Sequence, residues 1–471
     1  MPKENVKIGL EIHVPLKTKE KLYCSCPTNY YEIPEPNLNI CEVCTGMPGA
    51  KPYPINEEAL KSAIIIAKLL NCKIVNENIF VKRKHYDYPD LPSGYQRTSE
   101  PIGRDGNLNG ITIWEVHLEE DPGRYDLTTG KVDYNRSGVP LVEIVTAPEI
   151  HSAEDARNFL KDLLSLLEYS ERIIEVGGLM RVDINISIED SARVEIKNVN
   201  SIKGAFRAIH YEILRQRNLM KIGRKIIQET RGFNEKQMIT VRLREKETVE
   251  DYKYIPDPDI PPLFISKDYE EKILLPETPK SRKEKIIEKY KISEKYANIL
   301  VKEKEIVDLF EKVADKITPE FAAKWICGEV FRQLNYRSIQ LFESKLNSAL
   351  MVELLELLQE KKITENTGKK ILERIIDTGE SPKEIVRKEK HEKITDEGEI
   401  SKILDDVLKE NEKAVHDYLS GKEEAQHFLI GKIMQKMRGR ADNKIVRKLL
   451  NKKLNLEKTK SEKVKEVREH E

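Results

Sequence analysis

The chain has 471 residues, enough for two or three domains, and its 81 Lys+Arg and 81 Asp+Glu cancel to a net charge of zero. It is therefore no polycation, and any contact with nucleic acid must come from a local patch. No stretch approaches the roughly 18 to 20 apolar residues of a membrane span and no hydrophobic signal follows Met1, so the expectation is a cytoplasmic chain without a membrane partner.

The first predicted element is a strand. In Lys7–Val14, Ile8, Leu10, Ile12 and Val14 share one face, and Gly9, Glu11 and His13 share the other. Next come Cys24-Ser-Cys26 and Cys41-Glu-Val-Cys44, two close pairs across a short irregular loop. Four thiolates at this spacing suit tetrahedral Zn²⁺ in a structural site, with a disulfide pair and free thiols as competing readings. A helix is predicted at about Glu57–Leu70. Cys72 and, much later, Cys327 sit in apolar surroundings and read as core residues.

The run Val81–Gln96 carries Lys82, Arg83, Lys84 and three tyrosines in a Pro/Gly-rich setting. It suits a grip on phosphate, ribose or a base, or else an ordinary tyrosine-rich loop with solvated cations. Trp114, Val116 and Leu118 then alternate as one apolar face, and Glu119, Glu120 and Asp121 follow at the end of that strand. A helix is predicted at Ala153–Leu167. Two further alternating strands come next. Arg181–Ile188 sets Arg181, Asp183, Asn185 and Ser187 opposite β-branched aliphatics, and Arg193–Lys197 groups Arg193, Glu195 and Lys197. Asn198-Val199-Asn200-Ser201 leads into a helix at Ala205–Asn218, which reads as capping with a phosphate-binding helix start as the alternative.

Pro256, Pro258, Pro261 and Pro262 mark a boundary that no helix or central strand tolerates. Beyond it the chain reads as helical, over Pro279–Tyr336 and Lys345–Lys361. From Thr364 to Lys453 short helices follow, broken at Gly368, Gly379, Gly398 and Gly421. Between Lys436 and Lys460 stand ten Lys or Arg against Asp442 and Glu457, a local charge of +8 that suits nucleic acid or a solvated helix face. The fold expected is α+β. An antiparallel-sheet-rich domain over 1–265, with a zinc knuckle at about 22–46, precedes an all-α helical domain (266–362) and an α-helical tail domain (363–471).

The polar strand faces gather Glu11, His13, Asp183 and Glu195, and Glu119, Glu120 and Asp121 add to them. Carboxylates crowded together are costly unless a cation neutralises them. Carboxylates with one histidine suit Mg²⁺ holding nucleotide phosphates; a solvent-washed sheet face with unrelated acids is the competing reading. There is no G-x-x-x-x-G-K-[ST] loop, no G-x-G-x-x-G turn and no G-x-S-x-G elbow, so a nucleotide site here lies outside those types.

Several motifs in order carry a resemblance. They are Gly9-Leu10-Glu11-Ile12-His13-Val14, Cys44-Thr45-Gly46-Met47-Pro48-Gly49, Arg83-Lys84 through Tyr88-Pro89-Asp90-Leu91-Pro92, Glu119-Glu120-Asp121, Asp133 to Leu141, and Glu195-Ile196-Lys197-Asn198-Val199-Asn200-Ser201. With Phe428–Met434 and Gly439-Arg440-Ala441, they resemble the B-subunit family of the aspartyl/glutamyl-tRNA amidotransferases. The resemblance implies a cradle-shaped N-terminal domain with an ATP- and Mg²⁺-dependent kinase site, and helical and tail domains that grip misacylated tRNA. It also implies a heterotrimer in which an amidase A subunit and a small C subunit supply ammonia. The family's metal and phosphoryl-transfer positions fall on Glu11, His13, Glu120 and Glu195, with Glu119 and Asp183 nearby. Lys84 matches a lysine near the ammonia passage, and Cys24, Cys26, Cys41 and Cys44 match zinc ligands. Alternation would put Glu120 on the apolar face, so the strand is expected to end or bulge there. Pro15 departs from the family's usual glutamine.

Overall fold

A computed structural model describes residues 5–455 except 87, 127, 175–179, 190, 246–252, 338, 390–396, 421, 423 and 438–444. The chain divides into two compact units, Met1–Ser281 and Arg282–Glu471.

In the first unit the elements run β1 (Val6–Pro15), α1 (Glu57–Leu69), β2 (Lys73–Ile74), β3 (Asn78–Ile79), β4 (Val81–His85), β5 (Tyr95–Ser99), β6 (Gly103–Leu108) and β7 (Ile111–Glu120). Then follow β8 (Arg124–Tyr125), β9 (Val132–Asp133), β10 (Pro140–Thr146), α2 (Ala153–Ser170), β11 (Arg181–Ile188), β12 (Val194–Val199) and α3 (Ile202–Lys221). The unit closes with β13 (Glu229–Asn234), β14 (Ile239–Glu245), β15 (Lys253–Pro256), β16 (Leu263–Phe264) and α4 (Lys267–Lys272). Twelve strands form one sheet in the order β14-β13-β12-β11-β1-β10-β7-β5-β4-β15, with β6 on β7 and β2 on β6. Among the described residues its pairings are antiparallel except β12 with β13, which run parallel with α3 between them.

Alternation explains the sheet's two faces. Along β11 every second residue, Val182 to Ile188, is buried and the intervening ones are half-buried. Ile8, Leu10, Ile12, Val116, Leu118, Ile184 and Ile196 point to one side, where they meet Ala63, Ile64, Leu160, Leu163 and Ile209 from α1, α2 and α3. Each of these helices starts at a side-chain cap. The Asn56, Ser152 and Ser201 oxygens accept from the backbone N–H of Ala59, Asp155 and Gly204. Capping is thus what Ser201 does.

The apolar alternation breaks at Trp114. The β7–β10 register shifts between Val145 and Thr146, which pair with Glu115 and Ile113, so Trp114 sits in a bulge and is 51% exposed. As expected, β7 ends at Glu120, and the bulge at Trp114, six residues earlier, is a separate irregularity.

The prolines 256–262 do not end the first unit. Ile260, Leu263, Ile265 and Ile273 belong to its core, and Asn76 Nδ2 donates to the Ile265 carbonyl. Asp257 is buried and fastens this stretch to two strands. It accepts from Arg83 Nε and Arg97 Nε, both at 2.8 Å, and from Arg83 Nη2 at 2.9 Å.

Helix α5 (Pro279–Tyr290) runs across the division. The second unit then holds α6 (Glu294–Leu300), α7 (Lys304–Ala314) and α8 (Pro319–Trp325), the last passing through a π turn at Ile326–Val330 into α9 (Phe331–Arg337). Next come α10 (Ser348–Gln359), α11 (Glu365–Thr378), α12 (Pro382–Glu389), α13 (Glu397–Glu410), α14 (Glu412–Leu419) and α15 (Glu424–Lys436). Residues 445–455 are helical as well. Ile400, Leu404 and Val407 pack with Leu429, Ile433, Val446, Leu450 and Leu454 into a core of their own.

Candidate active site

The sheet face away from the helices is polar because Glu11 and His13 of β1, Arg181 and Asp183 of β11, His117 and Glu119 of β7 and Glu143 of β10 share it. Antiparallel register aligns them: His13 lies opposite Arg181 on one side and Glu143 on the other, Glu11 opposite Asp183, and Glu143 opposite His117. His13 Nε2 stands 3.6 Å from Glu143 Oε1, 3.7 Å from Glu11 Oε1 and 3.8 Å from Glu119 Oε2. One imidazole thus faces three carboxylates.

The electrostatics follow from that crowding. Burial, then the Glu143 charge, pushes the Glu11 carboxyl up to about 8. Burial pulls the His13 imidazolium down, but Glu143, Glu11 and Glu119 outweigh it and leave it at about 9. Burial and the Glu143 charge also raise Glu119. For Glu143 burial works upward, yet contacts with His13 and the charge of His117 hold it well below the usual carboxylate range. His117 places Nδ1 2.9 Å from the Ser99 carbonyl and Nε2 3.3 Å from a Glu115 carboxylate oxygen. Both neighbours only accept, so the imidazolium satisfies both.

Glu119 is held from the neighbouring strand: Thr98 Oγ1 donates to it at 2.8 Å and Gln96 Nε2 at 3.2 Å. Lys84 approaches from β4. Burial lowers its pKa, but Glu119, Tyr254, Glu143 and Glu11 more than compensate and keep it charged. On the other flank Lys197 Nζ binds Asp183 at 2.9 Å and stands 3.5 Å from Glu195, whose second oxygen accepts from Thr230 Oγ1 at 3.0 Å.

Glu11, His13, Glu119, Lys84 and Asp183 are therefore gathered on one face, with Glu195 one strand further out. Glu120 stands apart. Alternation turns it to the face opposite Glu119, where Arg97 Nη1 meets its carboxylate at 3.2 Å.

Glu143 is the residue that reading the sequence missed. It is an acid within Pro140–Thr146, whose other members on the polar face, Leu141 and Val145, are apolar and hide the alternation. A lone charge in an otherwise apolar strand was the available signal. Glu11, His13 and Glu143 each offer a ligand atom, all within 4.8 Å of one another. Two carboxylates and one imidazole at that distance suit a divalent cation.

The four cysteines converge. Cys24, Cys26, Cys41 and Cys44 place their sulfurs within 4.8 Å of one another, with Cys41–Cys44 at 3.9 Å and Cys26–Cys44 at 4.0 Å. Sulfurs bound to one tetrahedral Zn²⁺ at about 2.3 Å stand about 3.8 Å apart, whereas a disulfide needs about 2.05 Å. The donor set fits zinc, and no pair is bonded. Cys72 is buried and Cys327 partly so.

The tyrosine-rich loop packs against these elements. Tyr134 Oη donates to the Pro89 carbonyl, Gly123 N to the Asp90 carbonyl, and Tyr86 Oη to Gln96 Oε1. Asp87 lies outside the described residues, as do Gly421, Arg438, Gly439, Arg440, Ala441, Lys444, Lys458 and Lys460 of the tail. Of the basic tail residues that are described, Lys436 pairs with Glu410 and Lys453 with Asp405, while Arg447 and Lys452 are exposed.

A twelve-stranded sheet with an acid-ringed histidine on its open face, beside a four-cysteine cluster, corresponds to the GatB/GatE catalytic domain, whose family model matches residues 6–271. A second model, described as a GatB domain, matches residues 308–454. The chain is 50% identical over 457 residues to the B subunit of the aspartyl/glutamyl-tRNA(Asn/Gln) amidotransferase of Methanopyrus kandleri, covering 96% of this chain and 99% of that one. It is 50% identical over 465 residues to the protein of that name in Methanocaldococcus jannaschii (95% and 98%), and 49% over 439 residues to that of Methanothermobacter thermautotrophicus (93% and 97%). The chain belongs to the family of aspartyl/glutamyl-tRNA(Asn/Gln) amidotransferase B subunits. Among the described residues no helix is long and apolar enough to cross a membrane.

Proposed function

We propose that this chain performs the ATP-dependent half of a tRNA-dependent transamidation. The side-chain carboxylate of Asp on tRNA(Asn), or of Glu on tRNA(Gln), attacks the γ-phosphorus of ATP. A carboxylate O–P bond forms, the bond to ADP breaks, and the product is an acyl phosphate. Ammonia then attacks the acyl carbon, inorganic phosphate leaves with the C–O bonding pair, and the nitrogen loses a proton to give Asn-tRNA(Asn) or Gln-tRNA(Gln). Activation is needed because a free carboxylate is a poor electrophile with no adequate leaving group.

The observation that supports this reading is His13 among Glu11, Glu119 and Glu143, with burial and the Glu143 charge pushing Glu11 to about 8. Glu11, His13 and Glu143 would hold Mg²⁺, and its binding would displace the protons on Glu11 and His13. When bound, Mg²⁺ supplies neutralisation of the β- and γ-phosphates and of charge on the transferred phosphoryl group. Lys84 would flank the path of ammonia, Glu119 and Asp183 would border the reacting groups, and Glu195 would act from the rim, whereas Glu120, held by Arg97 on the opposite face, would stay outside the reacting groups. The first unit, 1–281, would carry the kinase site with its zinc knuckle at 22–46, and the helical second unit would grip tRNA through its tail from about 363 onward. An amidase A subunit with a small C subunit would deliver ammonia, and the assembly would work in the cytoplasm.

The test is ADP formation by the reconstituted three-subunit complex with Asp-tRNA(Asn), Glu-tRNA(Gln) and the same tRNAs deacylated. The expected result is ADP release that requires a misacylated tRNA and names the substrate. Release stimulated by neither would turn the reading to a tRNA-binding scaffold without phosphoryl transfer.

A further inference from the structure

We propose that Lys21 is a positioning residue for the zinc centre, compensating the charge of the Cys44 thiolate and tying that ligand to the loop beside Glu120. The inference rests on the zinc reading of the four cysteines. Lys21 is 1% exposed, and a lysine is almost never buried to that extent unless it is paired. Its Nζ donates to the Asn39 carbonyl at 2.8 Å and reaches the Tyr134 carbonyl at 3.4 Å and Cys44 Sγ at 3.5 Å. An ammonium has three N–H groups and no acceptor, and here it meets three acceptors.

The charge balance gives this contact its purpose. Zn²⁺ with four thiolates carries a net double negative charge, and Cys24 and Cys44 are buried. Uncompensated charge in such a place is costly. Lys21 brings a cation to the ligand sulfur without competing for the metal, as outer groups at metal centres commonly do.

The same contact reaches the sheet. Ser137 Oγ donates to the Cys44 carbonyl at 2.9 Å, and Leu22 N donates to the Gly138 carbonyl at 2.8 Å. Gly138 has φ +83°, and a Cβ built on it would lie 3.4 Å from Cys44 Cβ, 3.6 Å from Lys21 Cδ and 3.7 Å from Glu120 Oε1. Lys21, Cys44 and residues 134–138 thus form one block, with Glu120 at its edge.

The test compares the full-length wild type with Lys21→Met, which keeps the stem and removes the charge and the donors. Zinc content, the rate of zinc release to a coloured chelator, and the absorption spectrum of the Co²⁺-substituted protein are measured. The expected wild type holds about one zinc per chain. Lys21→Met should release it on the order of tenfold faster or more. Its sulfur-to-cobalt charge-transfer band should move to lower energy, because the thiolate loses a hydrogen bond. Ser137→Ala cuts the contact to the Cys44 carbonyl only and should leave that band in place. If Lys21→Met does not fold, Lys21→Gln should shift rate and band in the same direction. Release and band unchanged in the Lys21 variant overturn the proposal. A wild type that takes up neither zinc nor cobalt overturns the zinc reading, and the proposal with it.

Discussion

A histidine facing three carboxylates makes two residue-scale expectations. Glu143→Gln removes one of the three groups nearest His13, so misacylated-tRNA-dependent ADP formation should fall roughly 100-fold while tRNA affinity stays within about threefold. Equal losses in ADP formation and tRNA binding would count against a cation-holding Glu143. The second expectation concerns pH. Glu11 and His13 both have folded-state pKa values above their ordinary ones, about 8 against 4.5 and about 9 against 6.5. Raised groups stabilise the fold below their ordinary pKa and lose that contribution as pH climbs through the folded value. The contribution of these two groups should therefore fall between about pH 4.5 and about 9, and the metal-free protein should melt at progressively lower temperature as pH rises through that window. Mg²⁺ favours the deprotonated forms, so the melting-temperature increase it causes should grow over the same window. Glu11→Gln should flatten both trends in a thermal-melt series.

At the scale of elements, the buried junction at Asp257 joins the proline-rich stretch to β4 and β5. Asp257→Ala removes the carboxylate that Arg83 and Arg97 share, leaving Arg83 with Asp259 and Arg97 with Glu120, each at 3.2 Å. It should cost about 1–3 kcal/mol, read as a lowered thermal midpoint, because guanidinium N–H groups lose their acceptor while each cation keeps one partner. This junction also explains why the prolines misled. Pro256 ends the edge strand β15 and Pro258 follows it outside any strand, but the single carboxylate between them carries enough fixed bonds to keep the segment inside the unit. Much of the rest was legible. Alternation in β1, β11 and β12 gave the correct faces for Glu11, His13, Asp183 and Glu195, because each strand has one wholly apolar side. Glu143 was signalled only by its lone charge and not by alternation, since β10 is buried on nearly every residue and a continuous apolar run has no readable phase. Trp114 failed for another reason. A bulge is a property of two paired strands, and β7 alone does not reveal where β10 slips against it.

At the scale of the molecule, the two units have separate cores, and residues 1–281 expressed alone should fold, retain zinc and show a cooperative melt. A broad, non-cooperative transition would mean that the helical unit is needed to complete the first. The +8 tail was legible as a charge count but not as a surface. Lys436 and Lys453 are paired to Glu410 and Asp405, acids more than twenty residues away in sequence that only folding brings near. Salt should accordingly weaken tRNA binding with a slope smaller than ten cations would give.

The place of β1 in the sheet has a consequence for synthesis. It is made before both of its neighbours and sits in the sheet's interior, between β10 at Pro140–Thr146 and β11 at Arg181–Ile188. Neither neighbour exists until more than a hundred residues have followed. At about 5–20 residues per second the nascent strand waits on the order of ten to thirty seconds before both partners have left the ribosome. Throughout that wait Ile8, Leu10, Ile12 and Val14 are a sticky ribbon in the path of any chaperone that binds extended apolar segments. His13 meets Glu143 only after β10 has closed beside it, so a nascent chain cut short of β10 and β11 never carries the acid-ringed histidine.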